Sequence, residues 1–281
     1  MYGFKRIAIL LMALSPLMVH SQTLRKDAEA GLLLGAMNYI GDLNNQKITG
    51  KLNYAASALF RYDFHPRWAV QFGLAYGNVE GGNPDVIEAR NLSFRSNIIE
   101  GSLTVQFNFV PYQRGAYAQR LTPYMFAGIG VFGFNPKAQY NGVWYELQPL
   151  CTEGQGLSQY PDRKPYNLIQ LCVPFGLGLK CRVGKYFTIG AEYGFRKTWT
   201  DYIDDVSTTY VDSKLLTDNT EELAAILSDR SGEIEPNHAY TAGTQRGDDS
   251  LDDWYAFFGL SITVKLNVFD AFRKHQKCDA Y

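Results

Sequence analysis

The stretch Trp254-Tyr255-Ala256-Phe257-Phe258-Gly259-Leu260-Ser261-Ile262-Thr263-Val264-Lys265-Leu266-Asn267-Val268 decides the fold. Successive side chains of a β-strand point to opposite faces. Here Trp254, Ala256, Phe258, Leu260, Ile262, Val264, Leu266 and Val268 share one face, and Tyr255, Phe257, Gly259, Ser261, Thr263, Lys265 and Asn267 share the other. The first face is continuously apolar; the second mixes small, polar and aromatic groups. The alternation outlasts the ~5–6 residues of an ordinary strand and suits a tilted strand that crosses a bilayer.

The same pattern recurs towards the N-terminus. Ile169, Leu171, Val173, Phe175, Leu177, Leu179, Cys181 and Val183 oppose Gln170, Cys172, Pro174, Gly176, Gly178, Lys180 and Arg182. Phe187, Ile189, Ala191, Tyr193 and Phe195 oppose Thr188, Gly190, Glu192, Gly194 and Arg196. Trp68, Val70, Phe72, Leu74 and Tyr76 oppose Gln71, Gly73, Ala75 and Gly77; Leu103, Val105, Phe107 and Phe109 oppose Glu100, Ser102, Thr104, Gln106 and Asn108. Further strands are expected near 29–39, 53–64 and 122–134, the last with aromatics on both faces. Turns are short near Asp63–Arg67, Val110–Arg120 and Gly184-Lys185, whereas 40–52, 80–93, 136–168 and 200–252 are long. Eight strands with short turns at one end and long loops at the other predict an all-β fold, an eight-stranded antiparallel transmembrane β-barrel with short periplasmic turns and long extracellular loops. The alternative is a soluble ligand-holding barrel with its apolar face turned inward. Strand length, Tyr and Trp near strand ends and the loop asymmetry favour the outer membrane.

The bulk properties agree. The 281 residues include 19 Tyr, 17 Phe and 26 Gly, and the formal charge of -1 offers no basic field for nucleic acid. A mean hydropathy of -0.21 excludes a helical bundle in lipid, but not a barrel whose strands alternate. Lys5 and Arg6, the apolar run Ile7–Val19 and Ser21 predict a signal peptide over 1–21, cleaved before Gln22. The barrel is expected over 22–269, with a periplasmic tail over 270–281. Cys151, Cys172, Cys181 and Cys278 form no metal-ligand spacing, and the odd offset of Cys172 and Cys181 puts them on opposite faces.

With the apolar face in lipid, the lumen collects Arg61, Asp63, Glu100, Lys180, Arg182, Glu192, Arg196 and Lys265. An eight-stranded barrel is filled by its own side chains, and buried charges must pair, so a plugged barrel without a pore is expected. The final loop, Thr200–Asp253, holds 14 acidic and three basic residues and is expected to be a solvated acidic loop, with a short helix over 220–227 capped by Asp218 or Asn219. Its acidic pairs could hold calcium, but EF-hand spacing is absent. Ser207 or Ser231 with His238 and an Asp would be the triad of a lipid hydrolase, yet no spacing selects it. No enzyme, cofactor or metal site is expected.

Six stretches carry a family resemblance: Tyr39-Ile40-Gly41-Asp42-Leu43-Asn44, Asn91–Ser96, Thr122–Gly130, Leu147–Gly156, Tyr193–Thr198 and Asp201–Tyr210. Together they resemble the PorG-type outer-membrane proteins of the Bacteroidetes type IX secretion system, over roughly 28–269. The resemblance implies a structural, non-catalytic barrel that contacts a periplasmic ring made of a lipoprotein and its partner, in a setting of protein export and gliding. Candidate periplasmic contacts are His65, Arg67, Tyr112, Gln113, Arg114, Lys185 and Arg273. An adhesin or loop-display barrel is the alternative suggested by the acidic loop.

Overall fold

The computed structural model describes residues 27–44, 52–82, 90–112 and 119–266. The expected signal peptide, the tail 270–281 and the candidate contacts Gln113, Arg114 and Arg273 lie outside them. The wall is made of β1 (Asp27–Ile40), β2 (Asn53–His65), β3 (Trp68–Gly81), β4 (Phe94–Asn108) and β5 (Leu121–Gly133). It continues with β8 (Ile169–Val183), β9 (Phe187–Thr198) and β10 (Trp254–Lys265). Every wall strand pairs antiparallel with its sequence neighbour, and β1 closes on β10 from Glu29 opposite Lys265 to Ile40 opposite Trp254. The result is an eight-stranded up-and-down barrel without a free edge. β10 runs to Lys265, the Leu266 amide still bonds the Ala28 carbonyl of β1 at 2.9 Å, and the expected end of the strand, Asn267 and Val268, lies outside the described residues.

The outside is apolar from end to end. Leu260 is 71% exposed, Ile169 70% and Ile129 68%, and Leu32, Leu34, Leu74, Leu103, Leu177 and Ile262 are exposed with them. A water-facing surface rarely keeps an apolar patch beyond a few hundred Å², so this band faces lipid. Among the described residues no helix is long and apolar enough to cross a membrane; the strands make the crossing. Exposed aromatics mark both rims, with Phe64, Trp68, Phe109, Tyr186 and Phe187 at the short-turn end and Tyr54, Trp144 and Trp199 at the other. Such girdles sit at the two interfaces of an outer-membrane barrel. At the short-turn end, β8 passes to β9 through Gly184, whose φ of +66° suits a residue without a Cβ.

The strand whose facing alternation leaves open, β5, turns its aromatics inward. Tyr124, Phe126 and Phe132 are buried, and Leu121, Met125, Ile129 and Val131 are exposed. The cause lies on the neighbouring strands. Tyr124 pairs with Gly178, where a Cβ would come within 2.2 Å of the tyrosine ring; Phe126 fills the space over Gly176 and Gly194, 2.8 and 2.6 Å from where their Cβ atoms would stand. Large rings over cross-strand glycines fill a narrow lumen without strain.

The described parts of the long loops are folded. After β5 the chain forms the hairpin β6 (Pro136–Tyr140) and β7 (Val143–Glu146), which extends the wall by pairing with Arg95 and Ser96 of β4. The β9–β10 connection holds two short helices, α1 (Ser213–Asn219) and α2 (Glu222–Ser228). The expected caps are therefore wrong: Asp218 and Asn219 end α1, and Asp212 caps it by accepting from the Lys214 amide at 2.8 Å. Leu43, Leu92, Leu147, Leu150, Tyr166, Ile203, Val206 and Leu227, from all four long connections, pack in one buried cluster with Met37, Ile98, Phe132 and Tyr255 of the upper lumen. The extracellular end is thus closed by a cap whose core continues into the barrel.

Candidate functional site

Two polar centres stand out: the lower lumen and the buried floor of the cap. In the lumen, Glu29 of β1 is fully buried and pairs with Arg61; it also accepts from Thr263 (2.7 Å) and Thr188 (3.2 Å). Lys265 pairs with Asp27, and its ammonium lies 3.9 Å from Glu29. Lys180 donates to the Gln106 carbonyl at 3.2 Å and stands 4.0 Å from Asp63, which also lies 3.8 Å from Arg61. Gln106 in turn donates to Gln71 at 2.9 Å. Higher up, Arg196 donates to Glu100 through Nε at 3.0 Å, and the Tyr255 hydroxyl donates to the same carboxylate at 3.0 Å. Glu192 accepts from Tyr124 at 2.9 Å. Arg182 stacks over Tyr112 with its guanidinium 4.5 Å from the ring centre.

All eight expected lumen charges thus lie in the barrel wall with partners. Seven of them belong to the interior network, and Arg182 closes it at the rim. Missed were Asp27 and Glu29, which counter Lys265 and Arg61. Alternation could have found them, since Glu29 shares parity with the buried Leu33 and Met37. The cavity between Glu100, Glu192, Arg196, Gln71 and Ser102 measures about 20 Å³, room for one water. At this level the lumen is filled by its own side chains.

At the periplasmic end, His65, Arg67 and Lys185 are exposed. Arg67 braces the rim by donating to the Phe109 carbonyl at 2.9 Å. Tyr112 departs from expectation. It is 5% exposed, its hydroxyl meets Thr188 at 3.0 Å, and its ring lies under Lys180 and Arg182. It plugs the lower mouth instead of facing a partner, because cation–π contact with two lumen cations holds it inward.

In the cap, three of the six singled-out stretches converge. Tyr39 and Asp42 come from the first, Thr152 and Glu153 from the fourth, and Asp201 to Thr208 from the sixth; Arg246 and Asp253 join them. Glu153 is fully buried and accepts from the Arg246 guanidinium (2.8 Å), the Ser207 amide (2.9 Å) and the Thr208 hydroxyl (2.8 Å). Asp205 accepts from Thr152 (2.5 Å) and Tyr166 (2.7 Å). The Tyr39 hydroxyl meets Asp204 and Asp253, each at 2.6 Å. Burial pushes Asp205 up to about 6 against the pull of Arg246, Asp204 to about 8 and Asp201 to about 9. Asp253 is raised well above the ordinary range by burial and by Asp204. The solvated acidic loop is therefore corrected: its first turn and its last residue are the buried floor of the cap. Nothing in the sequence separates Glu153 and Arg246 from surface charges.

Neither serine sets up a triad. His238 lies 3.5 Å from Glu235 and packs edge-on against Tyr240, while the Ser231 hydroxyl donates to Asp229 at 2.6 Å. Cys172 is buried in the lumen and Cys181, nine positions on, lies partly exposed on the outer face, as the odd spacing requires.

Among solved structures the chain is similar to Ail of Yersinia pestis, with 11% identity over 86% of this chain and 97% of that one and a TM-score of 0.38. It is similar to OprG of Pseudomonas aeruginosa, with 10% identity over 84% and 95% and a TM-score of 0.38. Neisserial surface protein A aligns with 8% identity over 85% and 94%, at a TM-score of 0.35. Likenesses this distant say nothing about function. No curated protein matches. The sequence profile of DUF6089, a domain of unknown function, matches residues 5–217, and the chain belongs to that family.

Proposed function

We propose that this outer-membrane barrel is a structural, non-catalytic component of a type IX protein secretion machine, and that its short-turn end contacts the machine's periplasmic ring. The observation that carries the reading is the division of labour between the two ends. The cavity of about 20 Å³ between Glu100, Glu192 and Arg196 speaks against transport through the barrel. The periplasmic rim presents His65, Arg67 and Lys185 on short, braced turns. Short turns that present polar and basic side chains suit docking to a protein surface, because little conformational entropy is lost on binding. The resemblance of the six stretches to PorG-type proteins is what supports the choice of machine.

Photocrosslinkers placed at His65, Arg67 and Lys185 in intact cells are expected to capture the ring lipoprotein or its partner, and deletion of the gene is expected to abolish export of type IX cargo. Normal export in a clean deletion refutes the reading. Loss of export with no crosslink from these three positions removes the contact surface but leaves the machine. A loop-display role has one observation in its favour, the large folded cap. It predicts that trimming residues 212–250 destroys function while the barrel still inserts.

A further inference from the structure

The cap buries five carboxyl groups, Glu153, Asp201, Asp204, Asp205 and Asp253, around one buried guanidinium, that of Arg246. Glu153 takes that guanidinium at 2.8 Å, and Asp205 takes the hydroxyls of Thr152 and Tyr166. Among the described residues no cation is bonded to Asp201, Asp204 or Asp253. Three uncompensated carboxylates in one water-poor core are too costly to persist, so something neutralises them.

The contacts around Tyr39 show what. Asp204 Oδ1 accepts from the Val206 amide at 2.9 Å, and Asp253 Oδ2 accepts from the Ile203 amide at 2.8 Å. Their other oxygens both lie 2.6 Å from the single Tyr39 hydroxyl. A phenol carries one proton and donates it once. A second O···O contact this short needs a second proton, on a carboxyl, or two lone pairs would face each other. We propose that Asp204 and Asp253 share one extra proton across the Tyr39 hydroxyl, and that this proton locks the extracellular cap onto the barrel mouth, so that alkaline medium releases it.

The surroundings fit. Facing the pair are Tyr39 from β1, Asp42 from the β1–β2 connection, and Asp201 and Arg246 from the start and the end of the last loop; behind them, Asp42 has Arg90 of the β3–β4 connection, Asp248 and Glu153 of the β7–β8 connection beside it, and Asp205 has Arg246 and Glu153. Among the described residues the cations in this set are Arg246, committed to Glu153, and Arg90, which bonds the Arg246 carbonyl. Asp201 is 8% exposed, with the Ser207 hydroxyl as its polar neighbour and no cation beside it among the described residues. Among the described residues no three such groups are gathered as ligands of one metal ion. A carboxyl held above its ordinary range favours the folded cap only while protonated. The lock is therefore firmest in acid and weakens as pH rises towards about 8 for Asp204, with burial the main cause.

The test uses the full mature chain in phospholipid nanodiscs. Amide hydrogen exchange of residues 200–253, corrected for intrinsic rates, is followed from about pH 6 to about pH 10, across the window set by the raised carboxyls. The expected result is loss of protection at Ile203 and Val206 on the alkaline side, with the barrel strands still protected. Asp253→Asn cannot ionise, yet its amide can donate to Tyr39 while its carbonyl accepts from Ile203; it is expected to move the transition up by about one pH unit or more. Protection that does not change with pH in the wild type overturns the proposal, as does an unshifted transition in Asp253→Asn. Loss of protection on adding a chelator at neutral pH, restored by calcium, overturns it in favour of a cation lock. Should Asp253→Asn fail to insert, the wild type still decides: a protonated-carboxyl infrared band at neutral pH that bleaches with the exchange transition is expected, and its absence refutes the shared proton. None of these outcomes depends on the secretion reading.

Discussion

Replacing Glu100 by leucine removes one side of the best-formed ion pair in the lumen. Arg196 then loses its Nε contact at 3.0 Å and a longer one at 3.5 Å, and the Tyr255 hydroxyl loses its acceptor. What remains for Arg196 is the Gly194 carbonyl at 3.0 Å and the Phe257 ring at 5.4 Å. Breaking a buried pair from one side costs about 3–5 kcal/mol, because a charge is left without compensation. Glu192, whose charge already acts on Arg196, can take up part of it, which places Glu100→Leu near the lower bound, about 3 kcal/mol. Arg196→Met alone strands Glu100 and should cost a similar amount. The double variant carries no charge at either position and should lie within about 1–2 kcal/mol of the wild type. The assay is urea unfolding of the barrel in phospholipid vesicles, followed by tryptophan fluorescence, with the four proteins forming a double-mutant cycle. If Glu100→Leu costs less than about 1 kcal/mol, or if the two single effects simply add, the pair does not hold the lumen together and the reasoning fails.

Two further outcomes follow from the same geometry. The purified protein in planar bilayers is expected to give no large, stable conductance steps, since the cavity between Glu100, Glu192 and Arg196 measures about 20 Å³; porin-like currents would contradict the plug. In a Cys278→Ser background, a membrane-impermeant maleimide should label Cys151 slowly, because burial and the nearby Asp205 push its thiol up, and labelling should quicken with pH. Cys172 should stay inert until the barrel unfolds, and Cys181 should react with a lipid-soluble maleimide alone. Rapid labelling of Cys172 by the impermeant reagent would refute the assigned facing of β8.

Much of the wall was legible as sequence because a strand buried on one side and solvated by lipid on the other repeats its signal every second residue. The strand expected at Ile169–Val183 coincides with β8, and the lumen charges Arg61, Glu100, Lys180, Arg196 and Lys265 fall on the inner face that parity assigns them. Tyr112 was misplaced because it lies outside a strand, where no parity applies, and its direction is set by Lys180 and Arg182 across the mouth. The β6–β7 hairpin escaped notice because it covers only Pro136–Tyr140 and Val143–Glu146, too short for alternation to rise above chance.

What the sequence by itself determined is the period-two wall, its closure at eight strands and the end at which the long loops gather, all consequences of local geometry repeated many times. The tertiary structure alone decided which way β5 turns its aromatics, which side chain answers each lumen charge, and that Tyr39, Glu153, Asp204, Arg246 and Asp253 meet in the floor of the cap. These residues come from distant connections, and whether a carboxyl is solvated or buried depends on what the other loops place above it. That is a property of packing, which no window of sequence contains.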